Sequence, residues 1–173
     1  MKAQILVCAA LIAPFLCRPA AGLTLPQNGV ITYSKGNQGG RTLTLRKIAG
    51  GTLGPEQKIC NKGAKGGDIQ GQISFDGKWL AFCRSLGVGG DDYHKHGSWD
   101  VYIVNISGPL PASPKKVGHG YFPCWGDDSY GANKTLYFSV HESESVKKAT
   151  VSGTGDISSV GGHYSVRSWG SGG

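Results

Sequence analysis

The sequence predicts an all-β fold made of short strands and many turns. Three observations carry this. The chain of 173 residues holds 29 glycines, many at polar breaks between apolar runs, where glycine marks turns. Segments such as WDVYIVN (99–105) alternate apolar and polar residues with the period of a strand. Almost no stretch repeats its apolar residues at the helical period.

The first segment stands outside that pattern. Lys2 precedes an apolar run from Ile5 to Leu16, shorter than the roughly 20 residues a spanning helix needs. Small residues follow, with Ala20 and Gly22 placed for a cut after Gly22. Residues 1–22 therefore read as a signal peptide, and the expected location is secreted or periplasmic, in the cell envelope. Leu16 stands where a lipoprotein signal would place a small residue before Cys17. The remainder, 173 − 22 = 151 residues, is one domain's worth. Without Lys2 and Arg18, 16 basic residues face 11 acidic ones. Lys115-Lys116 and Lys147-Lys148 are separate pairs and form no basic stripe, so no nucleic-acid partner is expected. No transmembrane segment is expected either. Cys60, Cys83 and Cys124 remain, enough for at most one disulfide, whose pair the sequence does not choose.

Along the mature chain the elements follow in order. NGVITYSK (28–35) and RTLTLRKIAGG (41–51) form a first strand pair. In QISFDGKWLAF (72–82), Asp76-Gly77 suits a tight hairpin because glycine tolerates positive φ. Trp79 to Phe82 are all apolar, as in a strand covered on both faces. WDVYIVNISG (99–108), PKKVGHGYFPCWGDD (114–128), KTLYFSV (134–140) and VKKATVSGTG (146–155) continue the series. An order recurs: an apolar or aromatic position, a Gly/Asp turn, an apolar strand, a loop, and an alternating strand. Ile73, Trp125 and Trp169 hold equivalent places, 125 − 73 = 52 and 169 − 125 = 44 residues apart. Gly29 and Gly77 are 48 apart.

Four short strands at a period in the forties describe the blades of a β-propeller. The expected fold is thus a partial β-propeller of about three four-stranded blades, near 23–66, 67–117 and 118–160, with another beginning at 161–173. Closed rings take about 4–8 blades, so this reads as a piece of a six- to eight-bladed ring. Two expectations follow: an N-terminal fragment of a longer protein, or open blade edges that pair with another chain in self-association.

ISFDGKWLAF, WDVYIVN and GYFPCWGDD together resemble the TolB-like, PD40 (WD40-like) beta-propeller repeat family. Ser74, Asp76, Gly77, Lys78, Leu80, Ala81 and Phe82 match the first part of its motif. Asp100, Tyr102, Val104 and Asn105 match the second. The next copy keeps Pro123, Trp125 and Asp128 but lengthens the turn at GDDSYGANK. The resemblance spans most of residues 28–173. It implies the fold and leaves the function open.

Blade register points to a functional face. The loops LGVGGDDYHKHGS (86–98) and HESES (141–145), and the entries VGHGYF and VGGHYS, are expected at one end of the blades. That gathers Asp91, Asp92, Tyr93, His94, His96, His119, His141 and His163, with Glu142 and Glu144, on one ligand-binding face. His94-x-His96 is a candidate transition-metal pair, and Asp91-Asp92 a candidate Ca site. No cofactor is expected, since neither has a full ligand pattern. No G-x-S-x-G elbow, H-E-x-x-H or other catalytic motif appears. The expected function is an exported, non-catalytic module that binds or scaffolds a protein, peptide or glycan. The resemblance adds two enzymatic alternatives: the propeller part of a metal-dependent lyase of acidic sugars, or of a prolyl-oligopeptidase-like peptidase. Asn105 and Asn133 head N-glycosylation sequons.

Overall fold

The structure, a computed structural model, describes residues 26–36, 41–61, 67–85, 99–140 and 145–165. Among the described residues twelve strands form three four-stranded sheets, with antiparallel neighbours throughout. The first sheet holds β1 (Asn28–Lys35), β2 (Thr42–Ala49), β3 (Thr52–Leu53) and β4 (Gln57–Lys58). The second is the meander β5 (Asp68–Ile73), β6 (Trp79–Ser85), β7 (Trp99–Asn105) and β8 (Lys115–His119). The third is the meander β9 (Tyr121–Trp125), β10 (Asn133–Val140), β11 (Ser145–Ser152) and β12 (Ile157–Ser165). No α-helix occurs among the described residues.

The first sheet differs from the other two. β1 covers one edge of β2 along its whole length, and the short β3 and β4 share the other edge. It therefore fills three strand places with four strands. Gly54 and Pro55, between β3 and β4, break the outer strand into two pieces.

The second sheet sits in the middle, which explains its unbroken apolar strand. Every residue from Trp79 to Cys83 in β6 is buried. Leu80 and Phe82, with Val104 of β7, pack on Leu43 and Leu45 of the first sheet. Trp79, Ala81 and Cys83, with Val101 and Ile103, pack on Leu136, Phe138, Ala149 and Val151 of the third. Period-two alternation thus sends successive side chains to different sheets. The Trp125 indole N–H donates to the Gln72 carbonyl at 2.9 Å and ties the third sheet to the second.

One end of the sheets carries the tight turns. Ser74 Oγ donates to Asp76 Oδ1 at 2.6 Å, and Lys78 N–H donates to the same oxygen at 3.1 Å. Asp128 does the same work in the third sheet, accepting from Thr135 N–H and Oγ at 2.9 and 2.6 Å. The buried Lys134 reaches from the third sheet to Asp76 Oδ2 at 2.9 Å. Burial acts to raise the Asp76 carboxyl, but the Ser74 hydroxyl, the Lys134 ammonium and the Lys78 N–H outweigh it and hold it below the usual range. Asp128 is held low against burial by Thr135. A depressed folded value means stability present above the unfolded value, about 3.9, and lost as pH falls through the folded one. Melting temperature is expected to drop as pH falls below about 4. Asp76→Asn should remove part of that drop; an unchanged acid limb in the variant would count against the pairing.

The sequence led us to expect entry loops at VGHGYF and VGGHYS. The structure instead joins β8 to β9 through Gly120 alone, and β12 runs through His163 to Ser165. Gly120 has φ +149, and a Cβ there would overlap the Ser139 carbonyl oxygen. Only glycine makes so sharp a corner. The second sheet ends at His119 and the third at Ser165.

Cys60, Cys83 and Cys124 are all free thiols. Burial pushes Cys60 up to about 12, helped by the Asp68 carboxylate, and burial pushes Cys83 up to about 12. Thiolate is the reactive form, so both are inert, whereas Cys124 is exposed. A maleimide applied to a folded chain of residues 23–173 at neutral pH is expected to label Cys124 alone. Peptide mapping that found label on Cys60 or Cys83 without denaturant would contradict their burial.

Candidate functional site: a charged row at the loop end

β6 ends at Ser85 and β7 begins at Trp99, so segment 86–98 leaves from one end of the second sheet. At that end a row of polar side chains crosses all four strands. Asp68 (β5) lies opposite Arg84 (β6), Arg84 opposite Asp100 (β7), and Asp100 opposite His119 (β8). Asp68, Arg84 and Asp100 alternate in sign, which makes these directly opposed neighbours attractive.

The row is anchored by buried carboxylates. Asp68 and Asp100 are each 1% exposed. Arg84 grips Asp68 with both arms, Nε to Oδ1 at 2.7 Å and Nη2 to Oδ2 at 2.9 Å. This two-bond fork is among the strongest of charged contacts. Nη2 also donates to Cys60 Sγ at 3.3 Å and to the Asn61 carbonyl at 3.2 Å. The guanidinium lies 5.4 Å from the Phe82 ring centroid and 5.1 Å from that of Tyr102, within cation–π range. Those rings stack on one another. The hydrogen bond to Asp68 raises Arg84 further above its ordinary value, against the pull of burial. Asp100 is held by Lys116 Nζ at 2.7 Å and by His119 Nδ1 at 3.2 Å. A carboxylate on one ring nitrogen fixes an imidazole's orientation.

Beside the row, the first strands of the second and third sheets, β5 and β9, carry matched distortions. Gln70 has φ +56 and Phe122 φ +53. Each stands three places before the equivalent pair Ile73 and Trp125. Both ladders shift register there, the mark of a bulge. Left-handed backbone at a non-glycine residue costs about 1–3 kcal/mol and gathers at binding sites. The two positions touch: the Phe122 N–H donates to Gln70 Oε1 at 3.4 Å, and Cys83 Sγ donates to the same oxygen at 3.2 Å. The Phe122 side chain is 58% exposed, with Tyr121 edge-on at 4.9 Å.

Among the residues expected on this face, His119 stands at the end of β8, in the row. His163 lies in β12 near the pair Ser145–Ser165, at the strand ends from which segment 141–144 leaves. Asp91, Asp92, Tyr93, His94, His96 and His141 lie outside the described residues, and so do the candidate metal pairs they compose. Among the described residues no group of three or more His, Cys, Asp and Glu could hold a metal. Asn105 and Asn133 are both exposed, at the end of β7 and the start of β10. Ser107 N–H and Oγ donate to Asn105 Oδ1 at 2.8 and 2.7 Å. No described helix is long and apolar enough to cross a membrane.

Sequence reasoning missed Asp68, Arg84, Cys60, Lys116, Gln70 and Phe122. Arg84 and Asp100 did carry a signal, as the lone charges within otherwise apolar strands. Comparison with protein-family models, with curated proteins and with solved structures found no match.

Proposed function

We propose that the chain is an exported, propeller-type binding module whose loop end engages a peptide, protein or glycan. The observation that carries this reading is the charged row Asp68–Arg84–Asp100–His119 at the loop end of the central sheet. Two buried carboxylates there spend folding stability to hold Arg84, Lys116 and His119 in place. Adjoining them, a strained backbone presents the exposed Phe122 ring. Fixed polar groups beside an exposed aromatic suit recognition of a ligand with polar edges and an apolar face.

The blade reading rests on repetition. The second and third sheets share strand order, the capped turn of Asp76 and Asp128, the equivalent pair Ile73 and Trp125, and the Gln70/Phe122 bulge. Among these, Asp76, Asp128 and Trp125 are also residues that carry the TolB-like resemblance.

The test is a screen of the immobilised mature chain against peptide and glycan arrays, followed by titration of the hits. Saturable binding that falls at least about tenfold in Phe122→Ala or Lys116→Ala, a loss of about 1.4 kcal/mol, supports the reading. Hits that both variants bind as well as the native chain, or an array without saturable hits, would defeat it.

A further inference from the structure

Two tripeptides of the described residues fit the Asn-x-Ser/Thr pattern, Asn105-Ile106-Ser107 and Asn133-Lys134-Thr135. The pattern alone does not rank them. Their folded geometries do.

Asn105 closes β7 and is exposed. The chain leaves the sheet there in an Asx turn. The Ser107 N–H donates to Asn105 Oδ1 at 2.8 Å, and Ser107 Oγ donates to the same oxygen at 2.7 Å. A backbone N–H only donates, so the atom facing it is the amide oxygen and Nδ2 is turned away from the turn. Two hydrogen bonds on that oxygen also draw amide electron density toward it, which eases loss of a proton from Nδ2. Ile106 anchors the turn from within: it is 2% exposed, and its N–H donates to the Lys78 carbonyl at 2.8 Å. Asn105 and Ser107 are the pair left outside. A Cβ at Gly108 would meet nothing within 4 Å, so the space beyond the turn is open.

Asn133 is exposed too, but it opens β10 and pairs with Ser152 in the ladder. Its Thr135 is buried, and the Thr135 N–H and Oγ both donate to Asp128. Lys134, between them, is 2% exposed and bonded to Asp76. The hydroxyl that serves the amide in the first tripeptide is committed to a turn cap in the second.

We propose that Asn105, and not Asn133, carries an N-linked glycan. The donor is a lipid-linked glycosyl diphosphate, used by the membrane transferase of a host that modifies exported chains. Asn105 Nδ2 attacks C1 of the sugar. The C1–O bond to the diphosphate breaks with its electron pair on the departing phosphate, and Nδ2 gives one proton to a base of the transferase. The inference rests on the export proposed above. The turn spans three residues, so it needs little of the fold to form. β7 runs from Trp99 at the loop end to Asn105, a length of about 20 Å. The glycan therefore clothes the tight-turn end and leaves the charged row open.

The full chain should be expressed in a eukaryotic secretory host, once as it stands and once with residues 1–22 replaced by the host's own signal. Glycopeptide mapping of the secreted product, before and after peptide-N-glycosidase, reads each asparagine separately. Asn105 is expected to carry the glycan and Asn133 to be bare. Ser107→Ala should lose the glycan, Ser107→Thr should keep it, and Asn133→Gln should leave it unchanged. A bare Asn105 in a secreted chain, a glycan on Asn133 at comparable occupancy, or occupancy that survives Ser107→Ala would each overturn the proposal. A glycan on Asn105 only behind the host signal would uphold it while defeating export by residues 1–22, so the two readings fail separately.

Discussion

Arg84→Ala is expected to destabilise the fold by about 3–5 kcal/mol, the usual cost of removing one partner from a buried ion pair. For a domain of this size that is a fall in melting temperature on the order of 10 °C. The reason is what stays behind. Asp68 loses both of its guanidinium hydrogen bonds while remaining almost wholly buried. Asp100 keeps Lys116 and His119 but loses its cross-strand cation. Arg84→Lys should fall between the two, because an ammonium keeps the charge but not the planar fork. Arg84→Met combined with Asp68→Asn should recover part of the loss, since a neutral residue at 68 needs no counter-charge. Urea denaturation reads all four proteins. A cost below about 1 kcal/mol for Arg84→Ala would mean that the row behaves as an ordinary surface pair.

Phe82→Ala should cost about 3–5 kcal/mol through the cavity it leaves in the central sheet. Phe82 is fully buried between the first and second sheets, stacked on Tyr102 at a centroid distance of 5.8 Å. Its ring also supports the Arg84 guanidinium. The two substitutions should therefore interact: the double variant should cost less than the sum of the singles, since each removes part of what the other supports. Strict additivity would show that ring and guanidinium are energetically independent.

The strands were the legible part of this sequence. Asp76-Gly77 announced its hairpin, and the apolar run from Trp79 to Phe82 announced a strand covered on both faces. Local chemistry suffices for both. The bulges at Gln70 and Phe122 were not legible, because period-two counting does not register a residue that slips out of the ladder. Nor was the row. Asp68 and Arg84 are 16 residues apart, and only strand register sets them face to face. Arg84 drew no reading, and Asp100 only a place in the repeat motif, until the sheet put them side by side. Of the expected face, His119 and His163 lie on strands, where the repeat had pointed to entry loops. The other histidines lie in segments with neither alternation nor a turn signature to position them.

The corner at Gly120 has a mechanical meaning. With one residue between β8 and β9, and with its N–H bonded to the Trp99 carbonyl at 3.0 Å, the chain has almost no slack between the two sheets. The backbone positions of His119 and Phe122, on either side of that corner, are therefore held at a nearly constant separation. A ligand spanning them would be measured against a constant gap, and would lose little freedom of the protein on binding. Selection at this edge would then act on the length of the ligand as well as its chemistry.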